Sequence, residues 1–165
     1  MVGDSLAMKI GFVGLGAMGM PMAENLIKKQ YSVTGFDVRS ESVSVFEALG
    51  GKGAATAAQA AADANVLIVM VVNAAQAESV LFDAGALEAM APAGTVVLMA
   101  TCAPSSVKAI AARIAATGRH IIDAPVSGGE LGAKNATLSI MVGGDEKIFE
   151  KVKPVFELMG KNINL

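Results

Sequence analysis

The chain has 165 residues, 53% of them hydrophobic and 17% charged, with a formal net charge of −2; this is the size of one ordinary domain with enough apolar material for buried central strands. The near-neutral balance, without any block of lysines or arginines, argues against a nucleic-acid partner or an anionic membrane surface. With Cys102 the only cysteine and His120 the only histidine, a disulfide framework, a zinc site and a Ser-His-Asp triad are all excluded in practice, and no metal is expected.

No apolar run is long and uninterrupted enough to span a bilayer, and Met1 to Ala7 lacks the basic start of a secretory signal. The expected compartment is the reducing cytoplasm. Residues 1–7 read as an amino-terminal extension ahead of Met8, and residues 8–165 as the folded domain.

Lys9 to Val13 is a short apolar run that enters a turn with the spacing G-x-G-x-x-G, made by Gly14, Leu15, Gly16, Ala17, Met18 and Gly19. Met20 to Ile27 follows as an amphipathic helix that tolerates Pro21 in its first turn. In a strand-turn-helix of this kind Gly14 permits the tight turn, Gly16 lets the backbone approach a pyrophosphate, and Gly19 lets helix and strand pack closely. The helix N-terminus supplies N–H groups and partial positive charge for the phosphates.

A second strand, Ser32 to Asp37, ends in a carboxylate about 20 positions on, where an acidic residue can accept the ribose hydroxyls of an adenosine and repel a 2′-phosphate. NAD is therefore expected over NADP. Arg39, two residues further, weakens that preference, because a guanidinium can pair with such a phosphate.

Ser42 to Leu49 is predicted as a helix stopped by Gly50-Gly51, and Ala54 to Ala64 as an alanine-rich helix with Thr56 as N-cap after a brief third strand. Val66 to Val72 shows no alternation, as expected of a parallel strand covered on both faces, and ends at Asn73 on the cofactor side. Ala74 to Phe82 reads as a helix, Thr95 to Met99 as a strand, Ala100 to Pro104 as a loop, Ser105 to Ala116 as a helix and His120 to Ala124 as a strand. Then come a loop (Pro125 to Gly129), a strand (Leu138 to Val142), a helix (Asp145 to Met159, with Asp145 as N-cap), and at Asn162 to Leu165 the beginning of a further element. The alternation predicts an α/β fold: a doubly wound, mostly parallel Rossmann-type sheet with helices on both faces and extra strands at the carboxyl-terminal end.

The glycine turn, Asp37 and the run Asp123-Ala124-Pro125-Val126-Ser127-Gly128-Gly129 together resemble the β-hydroxyacid dehydrogenases. That family includes 3-hydroxyisobutyrate, tartronate semialdehyde and L-threonate dehydrogenases, with 6-phosphogluconate dehydrogenase more distant. Phe12 to Gly19 with Met22-Ala23 fits the family's amino-terminal signature, and Val71-Val72-Asn73-Ala74-Ala75-Gln76 looks most like the L-threonate branch.

The resemblance implies that Leu15, Met18, Asp37, Val72, Asn73 and Thr101 contact the dinucleotide, and that Ser127, Gly128 and Gly129 bind the substrate's carboxylate and hydroxyl. A hydroxyl beside N–H groups in a glycine-rich loop is a suitable anion nest. Two departures stand out: Ala100-Thr101 replaces the family's usual Ser-Thr, and Ala136-Thr137-Leu138 its Gly-Thr-Leu. The family's catalytic lysine would lie beyond Leu165, on a helix opening an all-helical domain, and neither Lys134 nor Lys161 matches it.

The expected function is the NAD-binding domain of an oxidoreductase that oxidises a small β-hydroxyacid. The alternatives are a binding module without chemistry and an NADP-dependent imine reductase. A homo-oligomer is expected for the full-length protein, joined mostly through the missing domain, and the bare domain is expected to self-associate through the apolar face that normally packs on that domain.

Overall fold

A strand buried on both faces needs no polar positions, and the central strands here are of that kind. In β1 (Lys9–Val13) Ile10 and Phe12 face one layer while Val13 faces the other; in β4 (Val66–Val69) Val66 and Ile68 oppose Leu67 and Val69 in the same way. The computed structural model describes residues 8–165, so the expected extension at residues 1–7 lies outside the described residues.

Between β1 and β4 run α1 (Gly19–Lys28), β2 (Ser32–Phe36), α2 (Ser40–Ala48), β3 (Lys52–Gly53) and α3 (Ala57–Ala61). After β4 come α4 (Ala74–Glu78), a π-helical turn at Ser79–Asp83, α5 (Ala86–Ala89), β5 (Thr95–Leu98), α6 (Pro104–Ala115) and β6 (His120–Asp123). The six strands pair in parallel in the order β3-β2-β1-β4-β5-β6, the doubly wound arrangement expected from the sequence.

The extra strands form a separate small sheet. In it β7 (Val126–Ser127) runs antiparallel to β8 (Leu138–Met141), and β8 runs parallel to β9 (Gly160–Asn164). Two helices join these strands, α7 (Gly129–Asn135) and α8 (Glu146–Glu157). On α8, Ile148, Phe149, Val152, Val155 and Phe156 recur at helical spacing and are buried in the same layer as α1. Asp145 caps that helix as expected, accepting from the Lys147 and Ile148 amides at 2.9 and 3.1 Å.

The boundaries depart from expectation where other elements claim the backbone. The helix foreseen over 54–64 is confined to Ala57–Ala61, because the Ala54 amide continues the β3 pairing to the Gly35 carbonyl and the Asp63 amide turns to that of Ala89. Thr56 does cap it, through Gln59 N. The strand foreseen over 66–72 stops at Val69; Met70 still donates to the Val13 carbonyl, but β1 then turns away at Gly14 and leaves Val71 and Val72 nothing to pair with.

The helix foreseen over 74–82 changes to π geometry at Ser79, with the Ala84 amide reaching the Ser79 carbonyl. Within the loop foreseen at Pro125–Gly129, Val126 and Ser127 form β7, and Gly129 opens α7. The residues from Asn162 complete β9 rather than begin a new element.

Candidate functional site

Beyond the carboxyl ends of β1 and β4 the strand order reverses, and such a point opens a crevice. A cleft of about 530 Å³ lies there. Its walls are Val13, Gly14 and Gly16 after β1, Phe36 to Arg39 after β2, Met70 to Val72 after β4, and Gln76, Ser79 and Val80 beyond.

The three glycines of the turn act differently. Gly14 leaves β1 at φ +105°, where a Cβ would overlap the Met70 carbonyl, and a Cβ on Gly19 would overlap the carbonyl of Gly14. Both positions therefore exclude a side chain. At Gly16 the one atom near the Cβ position is Arg39 Nη2, 3.7 Å away, and the space above the turn is otherwise open.

Helix α1 presents its amino end to this opening. Met18, at the N-cap, supplies no side-chain acceptor, and the first turn carries no acidic residue. In its first turn Pro21 has no N–H and the Met20 amide donates to the Gly16 carbonyl at 3.0 Å, so what this end of the ten-residue helix offers an external anion is chiefly its dipole. The residues present fit a dinucleotide pyrophosphate.

Asp37 stands at the end of β2 with its side chain only 11% exposed. Oδ1 accepts from the Leu15 amide at 2.9 Å, while Oδ2 accepts from the Arg39 amide at 2.9 Å and from Arg39 Nε at 3.5 Å. The last distance is at the limit of a hydrogen bond and is readily exchanged. With about four acceptor positions on a carboxylate, Asp37 keeps capacity for ribose hydroxyls while the two short bonds hold its orientation.

The other lip is built by reciprocal bonding. Asn73 Oδ1 accepts from the Gln76 amide at 2.9 Å, and Gln76 Oε1 accepts from the Val72 amide at 3.0 Å. This is a capping box displaced by one residue, and it fixes the backbone that carries Val72. Val72 is 80% exposed and Val38, on the other side of β1, 89% exposed.

Gly14, Gly16, Asp37 and Val72 therefore meet in one cleft. Leu15 contributes its amide and not its side chain, which is buried; Ala17 is exposed and Met18 half-buried at the mouth of α1. Thr101 is exposed in the loop after β5, and Ser127, Gly128 and Gly129 are exposed where β7 passes into α7. These four do not line the cleft. A bond from Asn25 Nδ2 to the Ala133 carbonyl, 2.8 Å, nonetheless ties α7 to α1, so the glycine turn and the Ser127 loop share one frame.

Asp123 closes β6, exchanging both backbone bonds with Gly143 at 2.9 and 2.7 Å. Burial pushes its carboxyl above its ordinary value, and among the described residues Oδ1 has no hydrogen-bond partner. Burial, and then the charges of Asp123 and Glu78, push the Cys102 thiol up, away from a reactive thiolate. His120 begins β6, at the end of the strand away from the crevice, and Lys134 and Lys161 are exposed outside the cleft. Among the described residues no group of His, Cys, Asp and Glu can hold a metal ion, and no helix is long and apolar enough to cross a membrane.

Met70, Gln76, Ser79 and Val80 were not foreseen in the cleft. The N-x-x-Q spacing of Asn73 and Gln76 is a legible capping signal. Nothing in the sequence marks the π turn that brings Ser79 and Val80 there.

Residues 9–165 match the family model described as the NAD binding domain of 6-phosphogluconate dehydrogenase. The chain is 46% identical to 2-hydroxy-3-oxopropionate reductase of Escherichia coli over 162 residues, which is 96% of this chain and 54% of that protein. It is 42% identical to an NAD-dependent L-serine dehydrogenase of Pseudomonas aeruginosa, covering 94% of this chain and 52% of that one. A solved structure of Mycobacterium tuberculosis 3-hydroxyisobutyrate dehydrogenase with L-serine superposes with a TM-score of 0.91 at 36% identity, over 94% of this chain and 53% of the other. The chain thus spans about half the length of the curated relatives it matches.

Proposed function

The chain belongs to the family defined by the NAD-binding domain of 6-phosphogluconate dehydrogenase, and from that premise we propose that it serves an oxidoreductase that oxidises a small β-hydroxyacid. The observation that carries this reading is the pairing of an open Gly16 with a fixed Asp37 carboxylate at the switch point of the sheet. NAD, when bound, supplies the hydride acceptor. In this chain α1 would hold the pyrophosphate, Asp37 the adenosine ribose, and the Val72-Asn73 lip the far wall.

Thr101 would face the nicotinamide side, and Ser127, Gly128 and Gly129 would receive the substrate's carboxylate and hydroxyl. Oxidising a hydroxyl also requires a group to take its proton. The cleft walls carry no lysine or histidine, so none of the residues that line it is assigned that role. A homo-oligomer is part of the same proposal, with exposed Leu131 and Met141 as apolar side chains available to it.

Calorimetric titration with NADH and with NADPH tests the cofactor site: NADH should bind preferentially, and Asp37→Ala should erase the preference. The substrate class is tested on the full-length enzyme with a panel that includes 3-hydroxyisobutyrate, L-serine and L-threonate, following NAD reduction. No reduction with any small β-hydroxyacid would overturn the substrate reading and leave the cofactor reading standing.

A further inference from the structure

Helix α7 carries the Ser127-Gly128-Gly129 loop into the fold, and it is poorly able to fix itself. It has seven residues, too few for a helix to persist without packing. Gly128 and Gly129 open it at φ +132° and +65°. Ala136 ends it at φ +57°, a left-handed angle that a residue with a Cβ adopts only where its surroundings enforce it.

The constraint lies at the carboxyl end. The last carbonyls of a helix have no amide of their own helix to receive. Here the Gly132 carbonyl takes the Thr137 amide at 2.9 Å, and the Ala133 carbonyl takes Asn25 Nδ2 at 2.8 Å. Gly132 and Ala133 are buried, with the Leu138 side chain against Gly132. Among the described residues Asn25 is the one side chain that hydrogen-bonds to α7. It stands on α1 beside Ala23 and Leu26 of the buried face, although asparagine is a poor residue for a helix interior. Its amide serves α7 rather than its own helix.

We propose that Asn25 is a positioning residue for the substrate: through the Ala133 carbonyl it fixes the distance between the cofactor helix and the Ser127-Gly128-Gly129 loop. This rests on the reading of that loop as the substrate's carboxylate site and deepens it. Asn25 lies about 9 Å along α1 from Gly19, and Ala133 about 6 Å along α7 from Gly129. A short helix held near one end pivots there, so a loosened tether moves the loop at the other end. Misplacing reactants by about 1 Å can cost about a hundredfold in rate. A loop set from α1 refers the substrate to the same element that receives the pyrophosphate.

Two measurements on Asn25→Leu, which keeps the size of the side chain and removes its donor, test this. In this chain, hydrogen exchange of the Gly132 and Thr137 amides should quicken about tenfold, because the Ala133 carbonyl is left unpaired. Exchange in β1 and β4 and the affinity for NADH should stay as in wild type. Unchanged exchange at Gly132 and Thr137 would overturn the tether.

In the full-length enzyme, with 3-hydroxyisobutyrate, L-serine and L-threonate as probes, KM for the acid should rise and kcat/KM fall at least about tenfold, while KM for NAD holds. A merely structural role would reduce the amount of active enzyme and leave both KM values unchanged, and that result overturns the positioning role. Asn25→Ala, which leaves room for a water at the carbonyl, takes the place of Asn25→Leu if that variant does not fold, with the same results expected. If wild type oxidises none of the three acids, the hydroxyacid reading falls by itself, and exchange at Gly132 and Thr137 alone decides whether Asn25 holds the loop.

Discussion

Replacing each glycine of the turn by alanine separates structural from ligand-binding demands on one short stretch. At Gly14 the methyl would overlap the Met70 carbonyl in a backbone already at φ +105°. Strain of a non-glycine residue at such an angle costs about 1–3 kcal/mol and overpacking about 1–3 kcal/mol more. The sum, about 2–6 kcal/mol, is a large share of a typical domain's stability of about 5–15 kcal/mol. Gly19→Ala pushes against the Gly14 carbonyl and should cost about 1–3 kcal/mol by the overpacking alone.

Gly16→Ala meets only a flexible arginine tip at 3.7 Å, so its urea midpoint should match or exceed wild type. Its methyl, however, fills the opening. A pyrophosphate packed down on the backbone at this position would meet that methyl. NADH affinity should fall at least tenfold, about 1.4 kcal/mol. Urea denaturation and NADH calorimetry on the same three variants provide the assay, and a stable Gly16→Ala with wild-type affinity would refute the placement of the pyrophosphate over this turn.

Asn73→Ala should cost about 1 kcal/mol in urea melts by removing the cap of α4, and should also weaken NADH, because Gln76 then loses its partner under the Val72 lip. Phe46→Ala should cost about 3–5 kcal/mol, since that ring is fully buried against Gly35 and Gly51; a loss below about 1 kcal/mol would contradict the packing. Asp123→Asn should raise the melting temperature at neutral pH. Its folded-state pKa lies above the ordinary 3.8, so the native state keeps the proton longer than the unfolded chain does, and stability falls as pH rises from that value through the folded pKa. The variant should gain least at the acid end of a pH series, and a pH-independent gain would refute the titration.

The central features were legible because local pattern and tertiary role coincide. The G-x-G-x-x-G spacing, the apolar run at Val66 and the carboxylate at Asp37 each state a local rule that the sheet then satisfies. Thr56 and Asp145 likewise cap the helices expected of them. What escaped was decided by partners remote in sequence: Val71 leaves the sheet because Gly14 turns β1 away, and α7 forms through glycines that alone suggest a loop. The Ser127 loop was singled out by resemblance, and its tie to α1 through Asn25 and Ala133 joins residues too far apart for any local pattern to show.

The borders of the two sheets bear on how copies of such an apolar chain can associate. Unpaired strand edges invite other chains to add on, and short or charged edges discourage it. The main sheet ends on one side at β3, two residues long and carrying Lys52. On its other side the backbone of Asp123 is already engaged by Gly143. The small sheet ends in β9, whose Lys161, Asn162 and Asn164 keep its rim polar. Growth by strand addition, the route to fibres, is thereby blunted, and association between copies falls to side-chain surfaces, which can saturate at a closed, countable assembly.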